Sequence, residues 1–282
     1  MKSDWIGNQV PTHRSTWIGP EEAARAMGEG TGRGIKVAVI DSGIEISHPA
    51  LRHVRLVDDI AFERSENGVV TRTPGFGIDE NGHGTAVAHA LLRIAPEVQV
   101  GSFRVMDRDL KSRWQIISEA AQLAIDRGYH VLNCSFGSAA TSNSIDYFKP
   151  WVDAAYRRGV HVVSACCNDD FRKAEWPGSF PSVITVNMAR IESDELLFRW
   201  DLNQKEVSRH LVEFAARGVD VESPWKGGQI RKRTGSSFAA PHVAGLLARL
   251  LSVHPGLKPP VAKALLQEIA LPWEAIHRGP NR

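Results

Sequence analysis

Cysteine is scarce in this sequence. Three residues in 282, Cys134, Cys166 and Cys167, are too few and too odd in number for a secreted disulfide framework. Neither sign of charge dominates: 34 Lys and Arg against 32 Asp and Glu leave +2. No molecule-wide field therefore draws the chain to nucleic acid or to a membrane. No run of about 18 apolar residues occurs that could cross a bilayer, and the first residues after Lys2 lack the roughly 7–15-residue apolar core of a secretion signal. A soluble, cytoplasmic protein is the expectation. Internal repeats, low-complexity tracts and linkers are missing too. With 43% hydrophobic residues, the chain has enough material for one α/β domain around one large core.

What is present alternates. Apolar, β-branched runs at residues 35–40, 98–105, 130–134, 160–165, 183–187 and 211–215 read as strands. Segments of helical period cover 83–93, 112–127, 144–158, 237–252 and 259–270. Ser112 is placed as an N-cap, Gly128 and Gly159 stand where helix C-terminal glycines belong, and Pro259 and Pro260 suit a helix start. Continuous apolar strands alternating with helices predict a mostly parallel central sheet with helices on both faces, a three-layer α/β/α single domain. Such sheets bind ligands at the carboxyl ends of their strands.

Three segments carry chemistry. The strand Val37-Ala38-Val39-Ile40 ends in Asp41, followed by Ser42-Gly43. In Asn81-Gly82-His83-Gly84-Thr85 a histidine opens a helix behind a glycine-rich turn. In Thr234-Gly235-Ser236-Ser237-Phe238-Ala239-Ala240-Pro241-His242-Val243 a serine starts a helix of small residues, where free backbone N–H groups gather. A serine hydroxyl is a weak nucleophile until a base removes its proton. Histidine has the pKa for that task near neutrality, and a carboxylate fixes its tautomer and stabilises the imidazolium. Taken singly, Asp41 suits a turn, His83 a structural role and Ser237 a helix cap; the ordered set of three points to acyl transfer. The glycine run from Gly28 to Gly34 precedes a strand, whereas phosphate cradling needs it between strand and helix, so no nucleotide site is read there.

In order and content these segments resemble the Asp, His and Ser signatures of the subtilisin-like serine proteases, from about Trp17 to about Leu271. Residues 1–16 are then a short N-terminal extension and 17–282 the peptidase domain. The resemblance implies a serine endopeptidase with Asp41, His83 and Ser237 as triad. It places Ser236 at the family's threonine, makes Asn168 the oxyanion-binding amide, and likens Ser135-Phe136-Gly137 to the edge that binds substrate backbone. It calls for a peptide or protein substrate, no cofactor and no metal. It also puts Glu175 at the bottom of the pocket for the side chain before the scissile bond, with Asp169 at the rim, which favours Lys or Arg there. The alternative is that Glu175 turns outward to solvent.

The chain departs from the family pattern in four ways. His89 stands where glycine is usual, and Cys167 replaces the glycine before Asn168, a strained choice if that position needs positive φ. The helix from His83 passes straight into the next strand without the inserted loop that completes a calcium site, so no calcium is expected there. About forty residues precede Asp41, with no room for a long pro-domain. This chain then folds unaided, uses a short leader such as residues 1–11, or relies on a folding or regulatory partner. A maturation protease trimming one precursor fits these features; a catalytically silent relative that binds peptides is the alternative. The cysteines read as buried small apolar residues, and Arg231-Lys232-Arg233 as a solvated loop whose place before the nucleophile leaves room for a substrate role.

Overall fold

A computed structural model describes residues 18–191, 198–199 and 212–272. The helices are α1 (Pro20–Glu29), α2 (His83–Ile94), α3 (Trp114–Asp126), α4 (Ser142–Arg158), α5 (Ser236–Val253) and α6 (Pro259–Ile269). The strands begin with β1 (Lys36–Asp41), β2 (Asp58–Arg64), β3 (Val70–Pro74), β4 (Gln99–Arg104), β5 (Val131–Cys134), β6 (Ser138–Ala139) and β7 (His161–Ala165). They continue with β8 (Glu175–Trp176), β9 (Ile184–Ala189), β10 (Phe198–Arg199), β11 (Phe214–Arg217), β12 (Val221–Trp225), β13 (Gln229–Arg233) and β14 (Leu271–Pro272).

Ten strands form one sheet in the order β14-β10-β11-β9-β7-β5-β1-β4-β2-β3. From β11 to β2 every neighbouring pair is parallel; the antiparallel pairs, β10 with β11 and β2 with β3, lie toward the edges. The pleat sends successive side chains to opposite faces. Val37 and Val39 enter the core shared with α1, α2, α5 and α6, while Ala38 and Ile40 enter the core shared with α3 and α4. Burial on both faces is why β1 reads as an unbroken apolar run. β1 has β4 on one side and β5 on the other. The chain thus moves outward in both directions from β1, and the crevice at such a reversal is where open α/β sheets accept ligands. Asp41 is the last residue of that strand.

Several elements differ from the sequence expectation in instructive ways. Ser112 does not cap α3: its Oγ donates to Val105 O at 2.6 Å, and the helix starts at Trp114 with Arg113 at the N-cap. Ser144 is the third residue of a capping box rather than a helix start; Thr141 Oγ1 accepts from Ser144 N–H at 3.3 Å and Ser144 Oγ accepts from Thr141 N–H at 3.0 Å. Gly159 ends α4 in the left-handed region, at φ 74°. The strand expected over 211–215 is β11, ending at Arg217; Leu211 lies outside the described residues, as do residues 1–16 and Trp17. Arg231-Lys232-Arg233 is not a loop: it pairs with Val221–Ser223 in an antiparallel hairpin whose turn holds Gly227 and Gly228, both at positive φ.

Candidate active site

Asp41 and His83 meet because β1 and α2 approach closely at their ends. A Cβ on Gly84 would lie 2.1 Å from Gly43 O and 3.2 Å from Asp41 Cβ, so the residue after His83 has to be glycine for the contact to form. His83 Nδ1 donates to Asp41 Oδ1 at 2.8 Å, and Ser42 N–H donates to the same oxygen at 2.8 Å. An ionised carboxylate only accepts, so the ring proton sits on Nδ1 and Nε2 is left with a lone pair. Both side chains are buried.

Sequence reasoning missed the residue that holds this turn together. Asp79 is buried and takes five donors: Ser42 Oγ at 2.7 Å, Asn81 N–H at 2.9 Å and Gly82 N–H at 2.7 Å on Oδ1, with Thr85 N–H at 2.8 Å and Thr85 Oγ at 2.6 Å on Oδ2. Aspartate two residues before a glycine-rich turn, ahead of a helix, fits an Asx-type turn. Burial pulls the His83 pKa down, but the Asp41 charge and hydrogen bond, with the Asp79 charge, more than offset it. The imidazole ends above its ordinary value, with Arg233 opposing.

The nucleophile candidate sits in the first turn of α5. This helix is buried almost all round, and Pro241 within it has no N–H to offer the carbonyl of Ser237 four residues earlier. Ser135 Oγ donates to that carbonyl instead, at 2.9 Å, and accepts in turn from Asn133 Nδ2 at 2.9 Å. Ser236 does a matching task one residue before: its N–H donates to Asn168 Oδ1 at 2.8 Å, and its single hydroxyl proton is divided between Cys166 O at 2.7 Å and Asn168 Oδ1 at 2.9 Å. With its oxygen so engaged, the Asn168 amide keeps Nδ2 for the cleft. A side chain at Gly235 would have Ser237 Oγ at 3.2 Å and Asn168 Nδ2 at 3.6 Å, so the two groups converge there. Among the described residues no hydrogen bond joins Ser237 Oγ to His83. Both line one cleft of about 560 Å³.

All the residues expected from sequence fall on that cleft: His83, Ser135, Phe136, Gly137, Asn168, Asp169, Glu175 and Ser237, with Asp41 directly behind His83. Glu175 turns inward, not to solvent. Its Oε2 fills the space a side chain on Gly137 would need, and β8 pairs it with Ala139 on β6. Its pKa is raised, chiefly by burial. Cys167 is half-buried and lines the cleft, so it is not a buried apolar residue, unlike Cys134 and Cys166. Its φ is not positive, so it carries none of the strain a glycine position would impose. His89 faces the β12 side of α2, beside Arg93 and Val221 and away from the cleft. The link from α2 to β4, residues 95–98, offers one carboxylate, Glu97, already engaged by Arg33 and Thr31, so these residues do not fit a calcium ion. Trp225 and Phe238 flank His83, with ring centroids at 6.5 and 5.6 Å. Neither was singled out from sequence, because each reads there as an ordinary core aromatic.

Fold and cleft together define a parallel-sheet α/β/α protein with aspartate, histidine and serine gathered where the strands end. A model of the subtilase family matches residues 32–278, and the chain belongs to that family. It is 29% identical over 233 residues to the thermostable alkaline protease of Halalkalibacterium halodurans, covering 79% of this chain and 58% of that protein. To subtilisin E of Bacillus subtilis it is 31% identical over 238 residues, covering 80% and 57%. The solved structure of Sphericase superposes with a TM-score of 0.68 at 25% identity, covering 84% of this chain and 83% of that one. The chain thus spans less than two thirds of the length of the two sequence relatives.

Proposed function

We propose that this chain is a serine endopeptidase that opens peptide bonds through an acyl-enzyme. Ser237 Oγ attacks the carbonyl, His83 Nε2 takes its proton and passes it to the leaving amine, and Asp41 holds the ring. Asn168 Nδ2 and the Ser237 N–H receive the oxyanion; loss of one such donor costs about 2.7–4 kcal/mol of barrier, a figure known for an enzyme of this same type. The observation that carries the reading is the buried 2.8 Å bond from His83 to Asp41, which leaves Nε2 free on the wall that Ser237 also lines. The missing Ser237–His83 bond fits a substrate-free site, where catalytic hydrogen bonds are often long until substrate tightens them.

Glu175 supports the narrower proposal of cleavage after Lys or Arg, since a half-buried carboxylate facing the cleft gains most from a cation that replaces its lost water. Three free thiols suit a reducing compartment, and an intracellular enzyme that matures a precursor is the role we propose. A fluorophosphonate probe should label the wild type and fail on Ser237→Ala. A mixed peptide library analysed by mass spectrometry should then yield products ending in Lys or Arg. No labelling of the wild type in any buffer would leave a peptide-binding relative as the remaining reading, and products ending mainly in Leu or Phe would end the Glu175 proposal.

A further inference from the structure

We infer that Arg233, stacked on Trp225, receives an acidic side chain on the leaving side of the scissile bond, so that the cleft selects by charge in both directions. The inference rests on the endopeptidase reading above. The imidazole protonates the departing amine, so the wall beyond His83 faces the residues that follow the cleaved bond. That wall is Trp225, edge-on to His83 with centroids 6.5 Å apart. The Arg233 guanidinium lies over the indole at 4.4 Å from its centroid and Arg231 at 5.6 Å, and Arg233 lines the cleft. Arg231 Nε is held by Gln229 at 3.0 Å. Arg233 differs: among the described residues it has no salt bridge, and its buried Nε has no hydrogen-bond partner.

A guanidinium held over an aromatic face has already lost much of its freedom, and with Nε buried it is the terminal NH2 groups that are left to receive a carboxylate. An unpaired cation beside the base also works against protonation of that base. It is therefore a costly place for an arginine whose only task is packing. The same cleft also carries the other sign, with Glu175 against Gly137 and Asp169 next to Asn168 in the chain. A peptide with a basic residue before the bond and an acidic one just after it meets complementary charge at both lining groups. The reverse order meets like charge twice, and repulsion of wrong partners is how such sites gain much of their selectivity.

The test uses the full chain with Ser237→Ala and fluorescein-labelled peptides that differ only by Asp or Asn in the first two positions after the expected bond. Binding should favour Asp by about tenfold at low salt, the scale of one charge-assisted contact, and the gap should shrink as salt rises. Adding Arg233→Gln should abolish the gap, and Arg233→Glu should shift preference to a Lys peptide. Equal binding of the Asp and Asn peptides, or a gap that survives Arg233→Gln, overturns the inference. The same peptides with the wild type separate the two claims. Turnover without charge preference sinks this inference alone, whereas intact, Arg233-dependent binding without any turnover sinks the peptidase reading and leaves the charge site standing.

Discussion

The two halves of the cleft are built in opposite ways. Around Asp41 and His83 the side chains themselves are fixed: the carboxylate accepts two donors, and Asp79 behind it accepts five. Around Ser237 it is the backbone that is held. Ser135 ties down the carbonyl and Ser236 the neighbouring amide, yet the hydroxyl makes no bond to the ring. The difference matches the tasks proposed for them. A base and its orienting acid keep one geometry through the cycle, whereas a nucleophile has to swing from the base to the substrate carbon.

Replacing Asp79 with asparagine strikes the rigid half hardest. The amide nitrogen would face two donors from Thr85, or displace the oxygen from three others. Chemical denaturation should show a loss of about 3 kcal/mol, since several buried donors are orphaned at once. A smaller change is expected from Ser135→Ala, which leaves the Ser237 carbonyl without a donor and costs about 2 kcal/mol. If the serine half depends on its anchored backbone, kcat should fall more than KM rises. An unchanged kcat would show that the carbonyl anchor serves folding alone. The smallest effect is in pH dependence. The proposed mechanism needs neutral His83, so activity should fall as pH drops through its raised pKa. Asp79→Asn removes a charge that lifts that pKa and should move the acid limb to lower pH. Arg233→Gln removes one that depresses it and should move the limb to higher pH. Shifts in the same direction would refute this account of the field at the ring.

Much of this arrangement was legible in the sequence, for definite reasons. Val37–Asp41 has to be a buried parallel strand because both its faces are apolar, and that alone places Asp41 at a strand end. His83 and Ser237 announce themselves through small neighbours that permit close approach. The hairpin of β12 and β13 was hidden. Pro224 lies in one strand and three consecutive cations in the other, so its composition argues for a loop. Gly227-Gly228 between two short runs was the usable signal. Asp79 was hidden for another reason: its importance lies in contacts with Ser42, 37 residues away, that no local pattern encodes. Glu175 sat at an uncertain depth in a loop until β6 and β8 paired.

Helix α5 has a consequence for how such a molecule ages. Its second residue is Ser237, and nearly every residue from Phe238 to Leu251 is shut away from solvent. Amide hydrogens along such an element should exchange only when the surrounding core opens with it, so its N-terminal end has no private route to fraying. On the peptidase reading proposed above, the enzyme is exposed to its own kind, and a nucleophile mounted on a surface element would be clipped away while the rest endured. On that reading, capability and integrity expire together.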